Sequence, residues 1–250
     1  MAPSTLATYL EKLIGSRADI ALLSDFDGTL VDLVPDPEAV DVPAALAAAL
    51  GRLAHMDDFP FAIVTGRALG SLDRFLGNQM PAIGNHGAEI RLTRGGSVKM
   101  LASPMPQELR DALRRIGEAN DCIIEDKLYS VSLHVRVEDA AKDLSGEIAR
   151  AITRLREPAC FMRQLGRTYE ILQEGITKGS GITVLMNHPG FKGKKPVYVG
   201  DDVETDESLS VVRDLGGVLI PAGEFYVDKT KDLALSVAEV RQLIGAFADT

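Results

Sequence analysis

Short apolar runs alternate with helix-patterned stretches from residue 20 to about residue 90, break off, and resume after residue 173. "DIALLSD", "FPFAIVTG" and "MPAIGNHG" read as buried strands. Between them lie two helical patterns, "VPAALAAALGRLAHM" with Pro43 near its start and "ALGSLDRFLG" closing at Gly77. Strands joined through helices need crossover connections, so these strands are expected to run parallel. "GAEIRLTRGGSVKML" then predicts an antiparallel hairpin turning at "RGGS". The middle of the chain changes order to helix, strand, strand, helix, strand, strand: "PQELRDALRRIGEA", "DCIIED", "YSVSLHVR", "EDAAKDLSGEIARAITRL", "ACFMRQ" and "TYEILQ". The first rhythm returns with helix "KGSGITVLMNH", strand "KPVYVGDD", helix "ETDESLSVVRDL", strand "GGVLIP" and helix "TKDLALSVAEVRQLIGAF". The expected fold is α/β: a Rossmann-like parallel-sheet core, residues 1–102 and 174–250, carrying an α+β (αββαββ) insert over residues 103–173.

With 27 basic and 36 acidic residues, the 250-residue chain has a net charge of −9. Nucleic acid and anionic membrane both reward a basic face, so neither is expected as a partner. Cys122 and Cys160 are too few for a disulfide framework, and their spacing suits neither zinc nor a redox pair. No basic start leads into an apolar core at the N-terminus, and no apolar run approaches a membrane span. A cytoplasmic location is the expectation.

An open parallel sheet places its site at the carboxyl ends of its strands, and here those ends are chemically loaded. The first apolar run ends in Asp25 and Asp27, the second in Thr65, Gly66 and Arg67, and the later one in Asp201 and Asp202, with Asp206 behind. Lys178 opens the helix before that last strand. Singly, each has a plain explanation: a solvated turn, a helix cap, an acidic first turn or a surface lysine. Their coincidence on one rim does not. Asp25, Asp27, Asp201 and Asp202 form an oxygen-rich set suited to Mg2+, a hard cation that shares its shell with phosphate. Asp25, at the strand tip, is placed to attack phosphorus and form an aspartyl phosphate. Asp27, two residues on, is placed to protonate the leaving oxygen and later activate water. Thr65 and Lys178 are expected to hold phosphate oxygens.

In these residues the chain resembles the haloacid dehalogenase (HAD) superfamily of Mg2+-dependent phosphotransferases. "DFDGTL" resembles its first motif, "VTGR" its second, Lys178 its third and "VGDD" its fourth, and the insert's order resembles the C2B caps. A finer resemblance is to the trehalose-6-phosphate phosphatase family. "DFDGTLVDLVPDPEAVDVP" is similar to its extended first motif, including Pro35, Pro37 and Pro43. "GNHGAEI", "EDKLYSVSLHVR" and "YEILQEGITKGSGI" are similar to its later segments. That resemblance implies sugar-binding roles for Glu125, Lys127, His134, Arg136 and Glu170 in the cap, and places Asn85, His86 and Glu89 near the hinge. Gly66 and Arg67 join them as substrate-binding residues. Two departures stand out: "GDDVETDE" is one residue longer than the usual motif, which leaves Asp206 without an assigned role, and Val135 follows the cap histidine. The function implied is Mg2+-dependent hydrolysis of trehalose 6-phosphate to trehalose and phosphate. The alternatives are another disaccharide or hexose phosphate as substrate, a phospho-acceptor signalling domain, and an inactive sugar-phosphate sensor. The insert and Asp27 argue against the second, and the intact acids and lysine against the third.

Overall fold

The computed structural model describes residues 17–34, 36–77, 80–136, 142–154, 159–203, 205–223 and 234–249. Two compact units make up the chain, Met1–Lys99 with Lys178–Thr250, and Met100–Thr177. These boundaries lie three residues earlier and four residues later than the sequence expectation.

In the first unit the strands are β1 (Ile20–Ser24), β2 (Phe61–Val64), β3 (Ala82–Gly84), β4 (Glu89–Arg91), β5 (Lys99–Met100), β10 (Lys195–Gly200) and β11 (Val218–Pro221). They form one sheet in the order β11-β10-β1-β2-β3-β4-β5. From β11 to β3 all pairings are parallel, and β4 runs antiparallel to β3. Every residue of β1 and β2 is buried, which is why these segments read as unbroken apolar runs without alternation. The chain steps from β1 to β2 on one side and later returns to β10 on the other. The strand order therefore reverses at β1, and a crevice opens beyond the ends of β1 and β10.

Helices α1 (Ala44–Leu53) and α7 (Val237–Ala248) cover the sheet together through one apolar cluster. Within it the rings of Phe59 and Phe247 stack at 5.0 Å between centroids, and each such buried ring contributes about 2–3 kcal/mol. Helix α2 (Leu69–Leu76) ends at Gly77, whose φ of +63° supplies the left-handed cap. Helix α7 opens on a capping box between Ser236 and Glu239, later than the sequence pattern suggests, because Leu235 is bridged to Ala222 instead. Residues 230–233 of that pattern lie outside the described residues. The helix expected after β10 is broken into a 3-10 turn, Glu207–Leu209, and α6 (Ser210–Asp214). The expected hairpin is mostly loop: its turn closes with the Gly96 N–H donating to the Thr93 carbonyl, and β4 and β5 are short. Pro43 directly precedes α1 and Pro37 opens a 3-10 turn capped by Asp36, whereas Pro35 lies outside the described residues.

In the second unit helix α3 (Gln107–Ala119), strands β6 (Ile123–Asp126) and β7 (Val131–His134), helix α4 (Ser145–Thr153), and strands β8 (Cys160–Leu165) and β9 (Thr168–Gln173) follow in the expected order. Residues 137–141 and 155–158, in the stretch expected to lie around α4, are outside the described residues. The four strands form an antiparallel sheet, β6-β7-β9-β8. Leu109, Leu113, Leu133, Ile148, Tyr169 and Ile171 fill the core between the helices and one sheet face. Among the described residues no helix is long and apolar enough to cross a membrane.

Candidate active site

Register carries the key residues to one place. Ser24 of β1 pairs with Val199 on β10 and Ile63 on β2, so Asp25, Asp201 and Thr65 all emerge just past neighbouring strand ends. The Asp25 N–H still donates to the Val199 carbonyl at 2.8 Å, which fixes the carboxylate at the crevice mouth. Gly28, at φ +71°, turns the chain there, and a Cβ on it would lie 2.4 Å from Asp201 Oδ2. A side chain at 28 would force the loop and the acid apart. The Asp201 N–H in turn donates to Thr29 Oγ1 at 3.1 Å.

Helix α5 (Lys178–Met186) brings in the lysine. Its first turn approaches the segment after β10 so closely that a Cβ on Gly179 would lie 2.0 Å from the Ser208 carbonyl oxygen. Lys178 Nζ donates to Asp25 Oδ2 at 2.9 Å and Asp202 Oδ2 at 2.7 Å, and lies 3.4 Å from Tyr198 Oη. Asp25, Lys178 and Asp202 are all buried. Burial pushes Asp25 well above the ordinary carboxylate range against the pull of Lys178, with Asp202 and Asp201 adding to the rise. Burial, then the charge of Asp202, pushes Asp201 up to about 6. Burial alone would lower Lys178, but Asp202 and Asp25 outweigh it and hold the ammonium above its usual value.

Asp25, Asp201 and Asp202 each offer an oxygen, all within 4.8 Å of one another. Three acids raised or crowded in this way against one ammonium make a donor set that fits a hard divalent cation. The Asp27 carboxylate is not in that trio. Arg67 holds it through two 2.7 Å hydrogen bonds, Nε to Oδ2 and Nη2 to Oδ1, and the guanidinium rests over the Phe26 and Phe75 rings at 5.6 and 4.9 Å. Asp206 is also outside it: its carboxylate accepts from the Ser208 N–H and hydroxyl at 3.0 and 2.6 Å, capping the 3-10 turn after the lengthened motif.

Thr65 is buried, and its hydroxyl accepts from the Arg67 N–H at 3.1 Å, so it shapes the turn after β2. Gly66 leaves space for His86, whose Cε1 would lie 2.5 Å from a Cβ at 66. Asn85 and His86 both hold left-handed backbone, at φ 51° and 55°, an uncommon state for residues other than glycine. Their N–H groups donate to the Arg67 and Thr65 carbonyls, tying this turn to the one after β2. Glu89 Oε2 accepts from the Leu69 N–H at 2.7 Å, capping α2, where Ala68 offers no side-chain acceptor.

In the second unit one sheet face carries a polar row, with Glu125, Ser132, Glu170 and Arg163 directly opposite one another across β6, β7, β9 and β8. Glu125 Oε2 meets His134 Nε2 at 2.9 Å and Lys127 Nζ at 3.3 Å. Burial would raise the Glu125 carboxyl, but the His134 hydrogen bond and the Lys127 charge override it and hold it at about 2. Arg163 Nη2 donates to Glu170 Oε2 at 2.7 Å. Arg136 does not join this row, since its Nε donates to the Asp121 carbonyl at 3.0 Å and the side chain is 42% exposed. Tyr198, Ser132 and Arg163 are absent from the sequence-based candidates. Of these, Arg163 had a signal: a two-residue turn at Gly166–Arg167 pairs Leu165 with Thr168 and hence Arg163 with Glu170.

A sequence model of the trehalose-phosphatase family matches residues 23–232. A trehalose-6-phosphate phosphatase of Escherichia coli is 30% identical over 209 residues, covering 82% of this chain and 78% of the relative. A probable trehalose-phosphate phosphatase of Sinorhizobium fredii is 32% identical over 218 residues, covering 86% and 82%. Among solved structures, the C-terminal domain of the Candida albicans trehalose-6-phosphate phosphatase superposes with a TM-score of 0.76 at 17% identity, covering 100% of this chain and 97% of that one. A sugar phosphatase of HAD subclass IIB superposes at 0.56 with 18% identity, covering 92% and 98%. At those identities the likeness is one of fold, and the fold is that of the HAD phosphatases.

Proposed function

The chain belongs to the trehalose-phosphatase family, and on that premise we propose that it hydrolyses trehalose 6-phosphate to trehalose and phosphate, with Asp25 as nucleophile. The observation that carries the mechanism is the separation of the two carboxylates of "DFD": Asp25 in the buried trio against Lys178, Asp27 apart on Arg67. A carboxylate paired with an ammonium at a site suited to a metal cation is placed to attack phosphorus, and one held outside that cluster, on Arg67, is placed for proton transfer. Asp25 attacks the phosphoryl group, and Asp27 donates a proton to the departing sugar oxygen. Asp27 then takes a proton from the water that cleaves the aspartyl phosphate. Lys178 and Thr65 steady the phosphoryl oxygens. Mg2+ is the cation that the trio suits, held by Asp25 and Asp201 with Asp202 beside them, and when bound it neutralises the acids and polarises the phosphoryl group.

We assign sugar recognition to the insert, residues 103–173, with residues 1–102 and 174–250 as the catalytic core. Glu125 and Glu170 lie in its polar row, with Lys127 and His134 against Glu125, and carboxylates balanced by cations suit a ligand of many hydroxyls. Asn85, His86 and Gly66 act through the turn that they share with Thr65, and Arg136 stands apart from the polar row on Asp121. Both cysteines carry thiols, in keeping with a cytoplasmic enzyme.

Phosphate release measured across a panel of sugar phosphates tests the substrate. Trehalose 6-phosphate is expected to exceed glucose 6-phosphate by at least tenfold in kcat/KM, and equal turnover would sink the assignment. Asp25→Asn is expected to abolish release from every substrate.

A further inference from the structure

Tyr198 is a residue whose role the phosphatase chemistry described above leaves open. It lies on β10, fully buried, with its ring beside the acid trio. Its hydroxyl donates to Asp202 Oδ1 at 2.8 Å, while Asp202 Oδ2 accepts from Lys178 at 2.7 Å. Both oxygens of Asp202 are therefore engaged by protein donors. Lys178 has three protons and three acceptors in reach, on Asp25, Asp202 and Tyr198. Since an ammonium cannot accept, the phenol proton goes to Asp202 and its lone pair faces Lys178. The result is a closed ring of Tyr198, Asp202 and Lys178 with one exit, the hydrogen bond to Asp25.

The backbone is built to permit this ring. Positions 198 and 200 point to the same side of β10, and residue 200 is glycine. A Cβ there would lie 2.5 Å from Tyr198 Cε1 and 2.7 Å from Asp202 Oδ1, in the very space where phenol and carboxylate meet.

We propose that Tyr198 is a positioning residue for phosphoryl transfer: through Asp202 it orients Lys178 toward the nucleophile Asp25, and it keeps Asp202 committed to the lysine. Lys178 and Asp25 touch the reacting phosphoryl group, and Tyr198 acts through them. This inference rests on the phosphatase reading, so p-nitrophenyl phosphate is used beside trehalose 6-phosphate. If the wild type turns over only the former, the sugar assignment fails while the role of Tyr198 is still read.

Tyr198→Phe keeps the ring and removes only the hydroxyl. A hydrogen bond to a charged group is worth roughly tenfold or more, so kcat is expected to fall about tenfold on both substrates with KM within about twofold. Titrating the variant with Mg2+ alone and following the melting temperature is expected to give a midpoint no weaker than that of the wild type, because Asp202 Oδ1 has been released. A kcat within about twofold of the wild type, or a Mg2+ midpoint weakened in step with kcat, would overturn the proposal. Gly200→Ala leaves the phenol present but displaces it from Asp202, and is expected to reproduce the fall in kcat at constant KM. A normal kcat in a folded Gly200→Ala would overturn it equally, even if Tyr198→Phe failed to fold.

Discussion

Neutralising one acid of the trio should make the metal-free protein more stable while removing a cation ligand. Asp201 is pushed up to about 6, by burial first and by the charge of Asp202 second. An unfolded aspartate titrates near ~3.9, and the gap of about 2 units corresponds to roughly 3 kcal/mol at full ionisation. Asp201 is only partly shielded from water, so about 1–3 kcal/mol is the expected range. The sign follows from which state holds the proton. Below about pH 4 both states are protonated and nothing is lost. Between about pH 4 and 6 the unfolded chain releases its proton first, and above about pH 6 the full penalty weighs on the folded state. Asp201→Asn abolishes that penalty. In chelator at pH 7.5 the variant is expected to melt about 5 °C above the wild type, since 1 kcal/mol shifts a chain of this size by about 2–4 °C. At pH 4, near the unfolded midpoint, most of the gain should be gone. Adding Mg2+ should reverse the ranking, because the wild type gains binding free energy that the variant cannot match. A calorimetric series at two pH values, with and without Mg2+, reads all three outcomes. If Asp201→Asn melts below the wild type in chelator by the same margin at pH 7.5 and pH 4, charge crowding is not what Asp201 contributes.

Three further outcomes are expected. In a single turnover, Asp27→Asn should slow departure of trehalose far more than departure of nitrophenolate, by about 10²-fold or more against a few-fold, because nitrophenolate leaves without a proton, while the later hydrolysis of the aspartyl phosphate slows alike for both; equal losses in the leaving-group step would remove Asp27 as the general acid. Glu125, held at about 2 in the folded state, stabilises the insert fully above about pH 4.5, and this contribution fades as pH falls toward 2. The stability gap between wild type and Glu125→Gln, up to about 2–3 kcal/mol at pH 5.5, should shrink to about a quarter of that by pH 2.5 in urea titrations, and a gap constant with pH would refute it. Arg163→Met leaves Glu170 without its 2.7 Å partner, so KM for trehalose 6-phosphate should rise about tenfold while p-nitrophenyl phosphate hydrolysis is unchanged; a matching loss on both would assign Arg163 to folding.

The parallel core and the inserted unit were legible because buried parallel strands are continuous apolar runs and the insert changes the order of elements. The ends of those runs also pointed to Asp25, Thr65 and Asp201, since a sheet of this kind brings its strand ends to one rim, and Lys178 was marked by its place at the start of the helix before β10. Boundaries shifted where side chains compete with helix pattern: Asp206 caps a 3-10 turn, and Ser236 starts α7 late.

Which carboxylate serves which partner was a tertiary matter. "DFD" and "GDD" present four chemically similar acids, and nothing local separates Asp27 on Arg67 from Asp25 on Lys178. That Glu89 also caps α2 through the Leu69 N–H is not legible in "GNHGAE", and Tyr198 reads as one more apolar strand residue. Period and punctuation along the chain determine which segments become strands and where they stop. Hydrogen-bond partners depend on ångström-scale distances between segments far apart in the chain, 153 positions for Lys178 and Asp25, and those distances exist only once the sheet register is set.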